Sequence, residues 1–310
     1  MNRNGNVAPG VIVRTENLTK TFVGIEALKG LGLEVPEGAV FALIGPNGAG
    51  KTTAIKTIMN IFRPTSGHAE VLGVDSCALG CKQLSQIGYV SENQSIPEWM
   101  RVGYFLSYCK PFYPNWHDEE AAALIRLYEL PLDRTIKTLS RGMRVKAALA
   151  SSLAYRPRLI VLDEPFSGLD VLVREQLVES ILERTAESTV LLASHDLAEI
   201  ESFASHIAYL EEGRLQFVEE MGALSQRFRE IEVTLETAMD LPREWPDRWL
   251  NLEQSSVVIR FIDSRFDAQG SEADVRRLFS GVLNITARNM SLRSICVALA
   301  KKAKKEKSVR

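Results

Sequence analysis

The segment from Gly45 to Thr52 has the residue types and spacing of a phosphate-binding loop. It reads Gly-Pro-Asn-Gly-Ala-Gly-Lys-Thr, follows the apolar run Val40–Ile44 and leads into a helix-compatible run from Thr53 to Phe62. The glycines let backbone N–H groups turn inward toward a polyphosphate, and the helix N-terminus adds free donors. Lys51 can reach the β- and γ-phosphates, and the Thr52 hydroxyl can bind Mg²⁺. The arrangement predicts a nucleoside triphosphate site rather than a glycine-rich turn without a ligand.

A second apolar run, Leu159–Leu162, ends in two acids, Asp163 and Glu164. The apolar residues fit a fully buried strand. If this strand lies parallel to the one before the loop, both strands end where ligands gather in an open sheet. Asp163 would then hold Mg²⁺ through water, and Glu164 would orient the water that attacks the γ-phosphate. The alternative is a strand that ends in a solvated acidic turn.

Two further predicted strands also end in polar side chains. Ile87–Val90 is followed by Ser-Glu-Asn-Gln, in which Glu92 could reach the metal, although a solvated loop fits this segment equally well. Thr189–Ala193 is followed by His195, which is placed to contact a γ-phosphate or the attacking water. Ser140 is a natural N-cap for the helical run that follows it, so free N–H groups there form a second candidate anion site.

The elements that must position these residues follow from apolar patterning and from breaks at Pro and Gly. We predict short N-terminal strands joined by turns, a largely helical block over residues 98–138, and a long helix after the turn at Ser167–Asp170. Phe22 could stack on a purine ring or belong to the core. The predicted strands here are Val11–Val13, Ala27–Val35, His68–Leu72 and Ile207–Leu210, and the predicted helices include Ala121–Leu130 and Val171–Ala186.

Length and composition indicate an ordinary globular protein with one large domain and a small one, or two of middling size. The 310 residues are 45% hydrophobic and 25% charged, and the formal net charge of −2 gives no support for nucleic-acid binding over the whole surface. No apolar run approaches the ~18 residues that a spanning helix needs. The N-terminus lacks the apolar core of a secretory signal. We therefore expect a soluble intracellular protein with reduced cysteines. Cys77 and Cys81 are four residues apart, so they would share a face if they lay on one helix.

Taken together, residues 11–220 resemble the ATPase subunit of ATP-binding cassette (ABC) transporters. Gly45–Thr52 corresponds to the Walker A motif, Leu159–Glu164 to Walker B, and Leu139–Met143 lies where the family signature LSGGQ belongs. Ser167–Asp170 resembles the D-loop, His195 the switch histidine and Phe22 the aromatic residue that stacks on adenine. The resemblance implies an α/β P-loop NTPase domain over residues 1–220, with an antiparallel β subdomain and a helical subdomain at 98–155.

The family's mechanism implies ATP and Mg²⁺ as cofactors, with Glu164 and His195 catalysing hydrolysis. Each subunit holds ATP against its own P-loop, and the signature helix of a second, identical or homologous subunit caps the γ-phosphate in a head-to-tail dimer. The helical block would pass this closure to separate transmembrane permease subunits, which implies a cytoplasmic protein on the inner face of the cell membrane, without nucleic acid. The implied nucleotide-binding residues are Phe22, Gly45, Pro46, Asn47, Gly48, Ala49, Gly50, Lys51, Thr52, Thr53, Ser140, Gly142 and Asp170, and the implied metal ligands are Thr52, Glu92 and Asp163.

Three departures from the family pattern bear on turnover and on the branch. The signature has Arg141 and Met143 in place of Gly and Gln, Glu92 stands where Gln is usual, and Val171 follows the D-loop in place of Pro. Glu92 and Met143 are similar to the bacitracin-type drug and peptide exporter branch, as is the segment Pro111–Trp116. This resemblance implies export of a drug, peptide or lipid-like cargo.

Residues 221–310 are predicted to form a small α+β domain with a basic tail. The helix start Ser-Leu-Arg-Ser-Ile at Ser291 resembles the C-terminal extension of the same exporter branch, where it could serve dimerisation, regulation or shielding. The tail from Lys301 onward could contact anionic lipid or remain solvated. The predicted helices are Met221–Phe228, Ala273–Val282 and Ser291–Ala303, and the predicted strands are Ile231–Leu235, Ser256–Ile262 and Leu283–Ala287.

The main alternative function is a cytosolic ABC-type ATPase that acts on nucleic acid or ribosomes without transport. The interval between the two Walker motifs has no room for the long coiled coil of chromosome-organising relatives. The translation-factor branch carries two cassettes, whereas one P-loop occurs here. A P-loop kinase or GTPase is disfavoured by the signature-like helix and by His195.

Overall fold

The computed structural model describes residues 10–92, 94–184, 187–242 and 244–308, and the side chains of 303–308 lie outside the description. The chain divides into two compact units. The first runs to Asp196 and includes 202–218, and the second comprises 197–201 and the residues from Glu219 onward. Some sequence predictions fall outside the described residues. They concern Asn93, residues 185–186 and the side chains of the basic tail beyond Lys302.

Two sheets organise the first unit. The peripheral sheet has the strand order β2-β1-β4-β5, and the central sheet has the order β10-β9-β3-β8-β7-β6. The strands are β1 Val11–Phe22, β2 Ile25–Pro36, β3 Val40–Ile44, β4 Ser66–Val71, β5 Val74–Asp75, β6 Ile87–Ser91, β7 Leu159–Asp163, β8 Thr189–Ser194, β9 His206–Glu211 and β10 Arg214–Glu220.

The central sheet brings the candidate site residues to one edge. Strand β3 runs parallel to β8 and β9, and β7 runs parallel to β6 and β8. Every residue of β3, β7 and β8 is buried, as expected for parallel strands that are covered on both faces. The loops after β3, β6, β7 and β8 therefore leave the sheet at the same carboxyl-terminal edge.

The peripheral sheet is antiparallel, as predicted, but its first strand is much longer than the sequence indicates. The pairing of β1 with β2 and β4 continues past Val13, where a turn was predicted. Register shifts in β1 between Thr15 and Leu18 and between Leu18 and Lys20 break the simple alternation of apolar and polar residues. Because these irregularities disturb the two-residue period, the pattern hides the rest of the strand.

Helices cover the central sheet and fill much of the predicted helical block. Helix α1 begins at Lys51, two residues before the predicted start, and α4 begins with three acids that favour a helix N-terminus. Cys77 lies in a short 3₁₀ turn and Cys81 begins α2, so the two cysteines do not lie on one helix. The helices are α1 Lys51–Ile58, α2 Cys81–Leu84, α3 Val102–Cys109, α4 Asp118–Leu127, α5 Arg141–Leu153 and α6 Val171–Leu182.

The second unit is an α+β domain built on an antiparallel sheet with the order β12-β13-β11-β14. The sequence prediction missed β12, and it placed α9 at 273–282, although Asp267 caps this helix at Gly270 N. The elements are α7 Leu197–Ile200, α8 Met221–Arg227, β11 Arg229–Leu235, β12 Trp249–Ser255, β13 Val258–Asp263, α9 Ala268–Leu278, β14 Val282–Asn289 and α10 Leu292–Ser308.

The carboxylate of Asp263 ties the second unit together at the end of β13. It is fully buried, and its Oδ2 accepts hydrogen bonds from Ser271 Oγ at 2.7 Å and Arg248 Nε at 3.2 Å. Its Oδ1 accepts from the backbone N–H of Arg265 at 2.9 Å. A buried carboxylate with three donors stabilises the fold only while all of them face an acceptor.

Asp263→Asn is therefore expected to destabilise the second unit by about 2–4 kcal/mol, because an amide NH₂ would face donors and leave Arg248 without part of its countercharge. Denaturant unfolding of the full chain measures the loss. Glu272→Gln is the matched control on α9, since Glu272 forms an exposed ion pair with Arg276 at 2.9 Å and should cost no more than about 0.5 kcal/mol. Equal stabilities for the two variants would contradict the role of Asp263.

Candidate nucleotide-binding site

The loop Gly45–Thr52 joins β3 to α1 in a conformation that requires glycine at its first position. Gly45 has φ 155°, and a Cβ atom there would lie 2.1 Å from the carbonyl oxygen of Leu210. The loop is fixed further on, where Gly213 N donates to Ala49 O at 2.9 Å. The backbone of the loop thus packs closely against β9, and its conformation does not depend on a ligand.

Lys51, the first residue of α1, points its ammonium group back into this loop. Its Nζ donates to Gly45 O at 2.8 Å and Pro46 O at 3.2 Å, and it lies 3.1 Å from Glu164 Oε1. Only 5% of its side chain is exposed. An ammonium group has three N–H donors, and three oxygens surround this one. A buried positive charge is therefore held at the point where the loop would receive phosphate.

Asp163, at the end of β7, faces the next residue of α1. Thr52 Oγ1 donates to Asp163 Oδ1 at 2.7 Å, and Ser91 Oγ donates to Oδ2 at 3.4 Å. Burial raises the pKa of the Asp163 carboxyl, against the opposing effects of the Thr52 hydrogen bond and the charge of Lys56. A hydroxyl and a carboxylate in contact beside a phosphate loop fit the oxygen ligands that Mg²⁺ prefers.

Glu164 and His195 meet because they follow neighbouring parallel strands, β7 and β8. Glu164 Oε2 and His195 Nδ1 lie 2.8 Å apart, and the backbone N–H of Glu164 donates to Ala193 O at 3.0 Å. Glu164 has φ 53°, which is uncommon outside glycine and is a form of strain found at functional sites. Its carboxylate lies between the Lys51 ammonium and an imidazole, and it can accept a proton from a water molecule.

These groups open into one cavity of about 510 Å³. Its wall is formed by residues 47–53 together with Ala27, Glu92, Glu164, Ser167 and His195. Within the described residues, Asp163 lies behind this wall, where only 3% of its surface is exposed. The structure thus gathers most of the residues predicted for phosphate binding and hydrolysis around one space.

Other predicted site residues of the described chain do not line that cavity. Ser140 caps α5 by accepting a hydrogen bond from Met143 N at 3.3 Å, and Asp170 caps α6 by accepting from Val173 N at 3.0 Å. Gly142 lies in the first turn of α5, next to Val173 and Leu169 of the D-loop region. Ser140, Gly142 and Asp170 therefore lie outside this pocket, whereas Ser167, the first residue of the D-loop, lines it.

Phe22 ends β1 with its ring 37% exposed. The ring meets Phe62 edge to face, with centroids 5.2 Å apart, and Lys20 Nζ lies 4.8 Å from its centroid. It is therefore neither a core residue nor fully free of contacts. Its predicted contact with adenine stays a prediction.

The loop after β6 differs most from what the sequence indicates. Glu92 N donates to Asp163 O at 2.9 Å, Ser167 Oγ donates to Glu92 Oε1 at 3.2 Å, and Arg141 forms an ion pair with the same carboxylate. Gln94 Oε1 accepts from Ser91 N at 3.4 Å. The sequence predicted neither the place of Ser167 in the pocket wall nor the pairing of Glu92 with Arg141. The opposite charges at the two unusual positions were a signal for that pairing.

Comparison with known proteins identifies part of the first unit, including the phosphate loop, as a family domain. The model of the ABC transporter family matches residues 28–167. The ABC transporter ATP-binding protein YcbN of Bacillus subtilis is 32% identical over 66% of this chain and 68% of its own. The daunorubicin/doxorubicin resistance ATP-binding protein DrrA of Streptomyces peucetius is 34% identical over 68% of this chain and 66% of its own.

An importer subunit and two solved structures are similar as well. The sulfate/thiosulfate import ATP-binding protein CysA of Bradyrhizobium diazoefficiens is 32% identical over 66% of this chain and 62% of its own. A structure of an ATP-binding subunit of an ABC transporter matches with TM-score 0.64 and 26% identity over 69% of this chain and 92% of its own. A dimeric cassette with bound ADP and Pi shares the fold, with TM-score 0.61 and 24% identity over 67% of this chain and 98% of its own. The chain therefore belongs to the ABC transporter family, as one of its ATPase subunits.

Proposed function

We propose that this chain binds ATP and Mg²⁺ at Gly45–Thr52, hydrolyses ATP with Glu164 as general base, and drives separate membrane-spanning permease subunits. The observation that carries the proposal is the contact of Lys51, Glu164 and His195 at the edge of the central sheet, within one cavity. The loop, the carboxylate and the imidazole each follow one of the parallel strands. The groups that would bind phosphate therefore lie next to those that would accept a proton.

Nucleotide binding begins with an exchange of partners at Lys51. In the present structure its ammonium group contacts two carbonyl oxygens and Glu164. Phosphate oxygens carry more negative charge than carbonyl oxygens, so they compete well for these donors. When Lys51 turns to phosphate, the Glu164 carboxylate loses this contact, and its oxygen can then accept a hydrogen bond from water.

Thr52 and Asp163 would hold Mg²⁺ in this site, where the ion neutralises charge on the phosphates. Both ligands are already aligned by the 2.7 Å hydrogen bond between them. Glu92, the third predicted ligand, is engaged by Ser167 and Arg141. His195 keeps the Glu164 carboxylate oriented through its Nδ1 atom, so that the other carboxylate oxygen remains directed toward Lys51.

A second subunit is required because part of the implied site faces away from the cavity. Ser140, Gly142 and Asp170 do not line the pocket of their own chain, as far as the described residues go. A head-to-tail partner, either a second copy or a homologous ATPase, would present these residues to the nucleotide. The dimeric description of a neighbour with ADP and Pi supports the presence of a second subunit, though it says nothing of the head-to-tail orientation.

A docking site for the permease is supported by the helical subdomain. Trp99 is 71% exposed, Phe112 63% and Tyr104 55%, which is unusual for large aromatic side chains. Aromatic residues of this kind are enriched at protein interfaces. Among residues 10–92, 94–184, 187–242 and 244–308, no helix is long and apolar enough to span a bilayer. The spans would belong to other polypeptides, with this chain on the cytoplasmic face of the membrane.

We favour export of a drug, peptide or lipid-like cargo over import. The support is the resemblance of Glu92, Met143 and Pro111–Trp116 to the bacitracin-type branch, together with the drug-resistance relative DrrA. The importer relative CysA has comparable identity, so the cassette alone does not fix the direction. The runner-up remains a cytosolic ATPase that acts on nucleic acid or ribosomes.

Copurification separates these functions. The tagged full chain, extracted in detergent from the membranes of its native cells, is expected to bring down a membrane protein of several spans. A Trp99→Ser, Phe112→Ser variant should recover at least about tenfold less partner, since each lost aromatic anchor costs more than 1 kcal/mol at many interfaces. Leu283→Ser is the control, because Leu283 is 62% exposed in the second unit. Recovery of ribosomes or nucleic acid in place of a membrane protein would overturn the transport proposal.

A further inference from the structure

Two unusual residues of this chain contact each other. Glu92 follows β6 and Arg141 is the first residue of α5, and their side chains form an ion pair. The resemblance implies neutral residues, Gln and Gly, at these two positions. Either replacement alone would introduce an uncompensated charge beside the nucleotide pocket, whereas together they neutralise each other.

Glu92 is also fixed by two other segments. The backbone N–H of Glu92 donates to Asp163 O at 2.9 Å, which anchors the residue to the end of β7. Ser167 Oγ donates to Glu92 Oε1 at 3.2 Å, the same oxygen that Arg141 contacts. One carboxylate oxygen is thus shared between the D-loop and the start of the signature helix.

Arg141 in turn covers the D-loop at Gly168. Gly168 has φ 66°, and a Cβ atom there would lie 2.9 Å from Arg141 Nη1 and 3.2 Å from its Cζ. The guanidinium group therefore occupies the space that a side chain at position 168 would need. The signature, the D-loop and the loop after β6 meet at Arg141 and Glu92.

We propose that Glu92 is the acidic partner of Arg141 rather than a Mg²⁺ ligand, and that the pair positions the signature and D-loops relative to the Walker B strand. The proposal rests on the function given above, because the position of the signature and D-loops affects ATP hydrolysis only if those loops close on ATP. Arg141 and Glu92 are positioning residues, which set the geometry of Ser140, Gly142 and Asp170 without touching the reacting atoms.

A neighbouring ion pair on the same helix provides a matched control. Arg144 Nη1 lies 3.3 Å from Glu98 Oε1, and the two side chains are 40% and 56% exposed. The Arg141 and Glu92 side chains are 46% and 29% exposed. The control pair therefore has similar solvent access, but the contacts described for Arg144 are with Glu98 and the carbonyl oxygen of Lys137 rather than with the D-loop.

The first test is a double-mutant cycle on ATP hydrolysis by the purified full chain. Glu92→Gln and Arg141→Gln should each lower kcat about two- to fivefold, the range expected for a partly exposed ion pair. The double variant should fall by less than the product of the two effects, and the exchange of Glu92→Arg with Arg141→Glu should recover activity. Glu98→Gln should leave kcat unchanged.

The Mg²⁺ concentration at half-maximal rate distinguishes positioning from metal binding. It should be the same in wild type and Glu92→Gln. A severalfold increase in that variant, or independent effects of the two single substitutions, would overturn the proposal and return Glu92 to the metal site.

A second test needs no hydrolysis. In Arg141→Gln without nucleotide, amide hydrogen exchange over residues 166–170 should be about two- to fivefold faster than in wild type, because a partly exposed pair no longer holds the D-loop. Glu98→Gln should leave exchange there unchanged, and unchanged exchange in Arg141→Gln would refute the pairing role. A wild-type chain that hydrolyses no ATP would instead refute the proposed function, since the exchange result stands apart from activity.

Discussion

Glu164→Gln is expected to slow ATP turnover at least ~10²-fold while ATP binding is retained, as for loss of a general base. The substitution keeps the size of the side chain and one oxygen that can face Lys51 or His195. It removes the group that can take a proton from the attacking water. Because Lys51 and the loop Gly45–Thr52 are unchanged, the phosphates are still held.

The position of Glu164 in the structure makes this effect specific. Its side chain is only 13% exposed, and both carboxylate oxygens already have partners, Lys51 at 3.1 Å and His195 at 2.8 Å. The backbone of Glu164 is held at a φ of 53° at the end of β7, and the contacts with Lys51 and His195 leave its carboxylate little freedom to leave the pocket. Few other groups in the pocket could replace it as a base.

Steady-state hydrolysis and equilibrium ATP binding of the two proteins measure the effect. The variant should also accumulate as an ATP-bound dimer in size-exclusion chromatography, since closure occurs without the step that ends it. Glu183→Gln is a suitable control, because that side chain is 73% exposed at the end of α6. Hydrolysis at the wild-type rate in Glu164→Gln would remove Glu164 from the role of base.

The sequence predicts the central sheet well because its strands are buried on both faces. Leu159–Asp163 and Thr189–Ser194 appear as short apolar runs, and a polar residue marks the edge where each run ends. Such runs need no knowledge of strand order to be recognised. The strand order itself, with β3 between β8 and β9, depends on long-range pairing that local patterns do not contain.

Local patterns fail where an element has only one buried end or an irregular period. In β12, Trp249 and Leu250 are buried, but Asn251, Glu253 and Ser255 face solvent, so no apolar run marks the strand. The contact of Glu92 with Arg141 was equally hidden, because β6 and α5 come together only in the folded chain. The opposite charges at the two unusual positions can be seen in the sequence. Only the folded chain shows that the two side chains lie close together.

Lys51→Ala is expected to weaken ATP binding at least about 30-fold, since truncating one partner of a buried charge pair costs roughly 2–5 kcal/mol or more. Lys51 is 5% exposed, and its ammonium group lies 3.1 Å from the Glu164 carboxylate. Its removal leaves the phosphates without a direct countercharge. It also leaves the Glu164 carboxylate facing the incoming negative charge.

Two measurements separate lost binding from lost folding. Thermal unfolding without nucleotide should show that Lys51→Ala remains folded, and titration with ATP should then raise its Tm much less than that of wild type, which gains about 2.7 kcal/mol at ATP concentrations 100 times its Kd. Lys82→Ala, an exposed lysine on α2, should behave as wild type does. An unchanged ATP affinity in Lys51→Ala would mean that the phosphates lie elsewhere. It would then contradict the assignment of Thr52, Asp163 and Glu164 as well, because their proposed roles depend on phosphate bound at this loop.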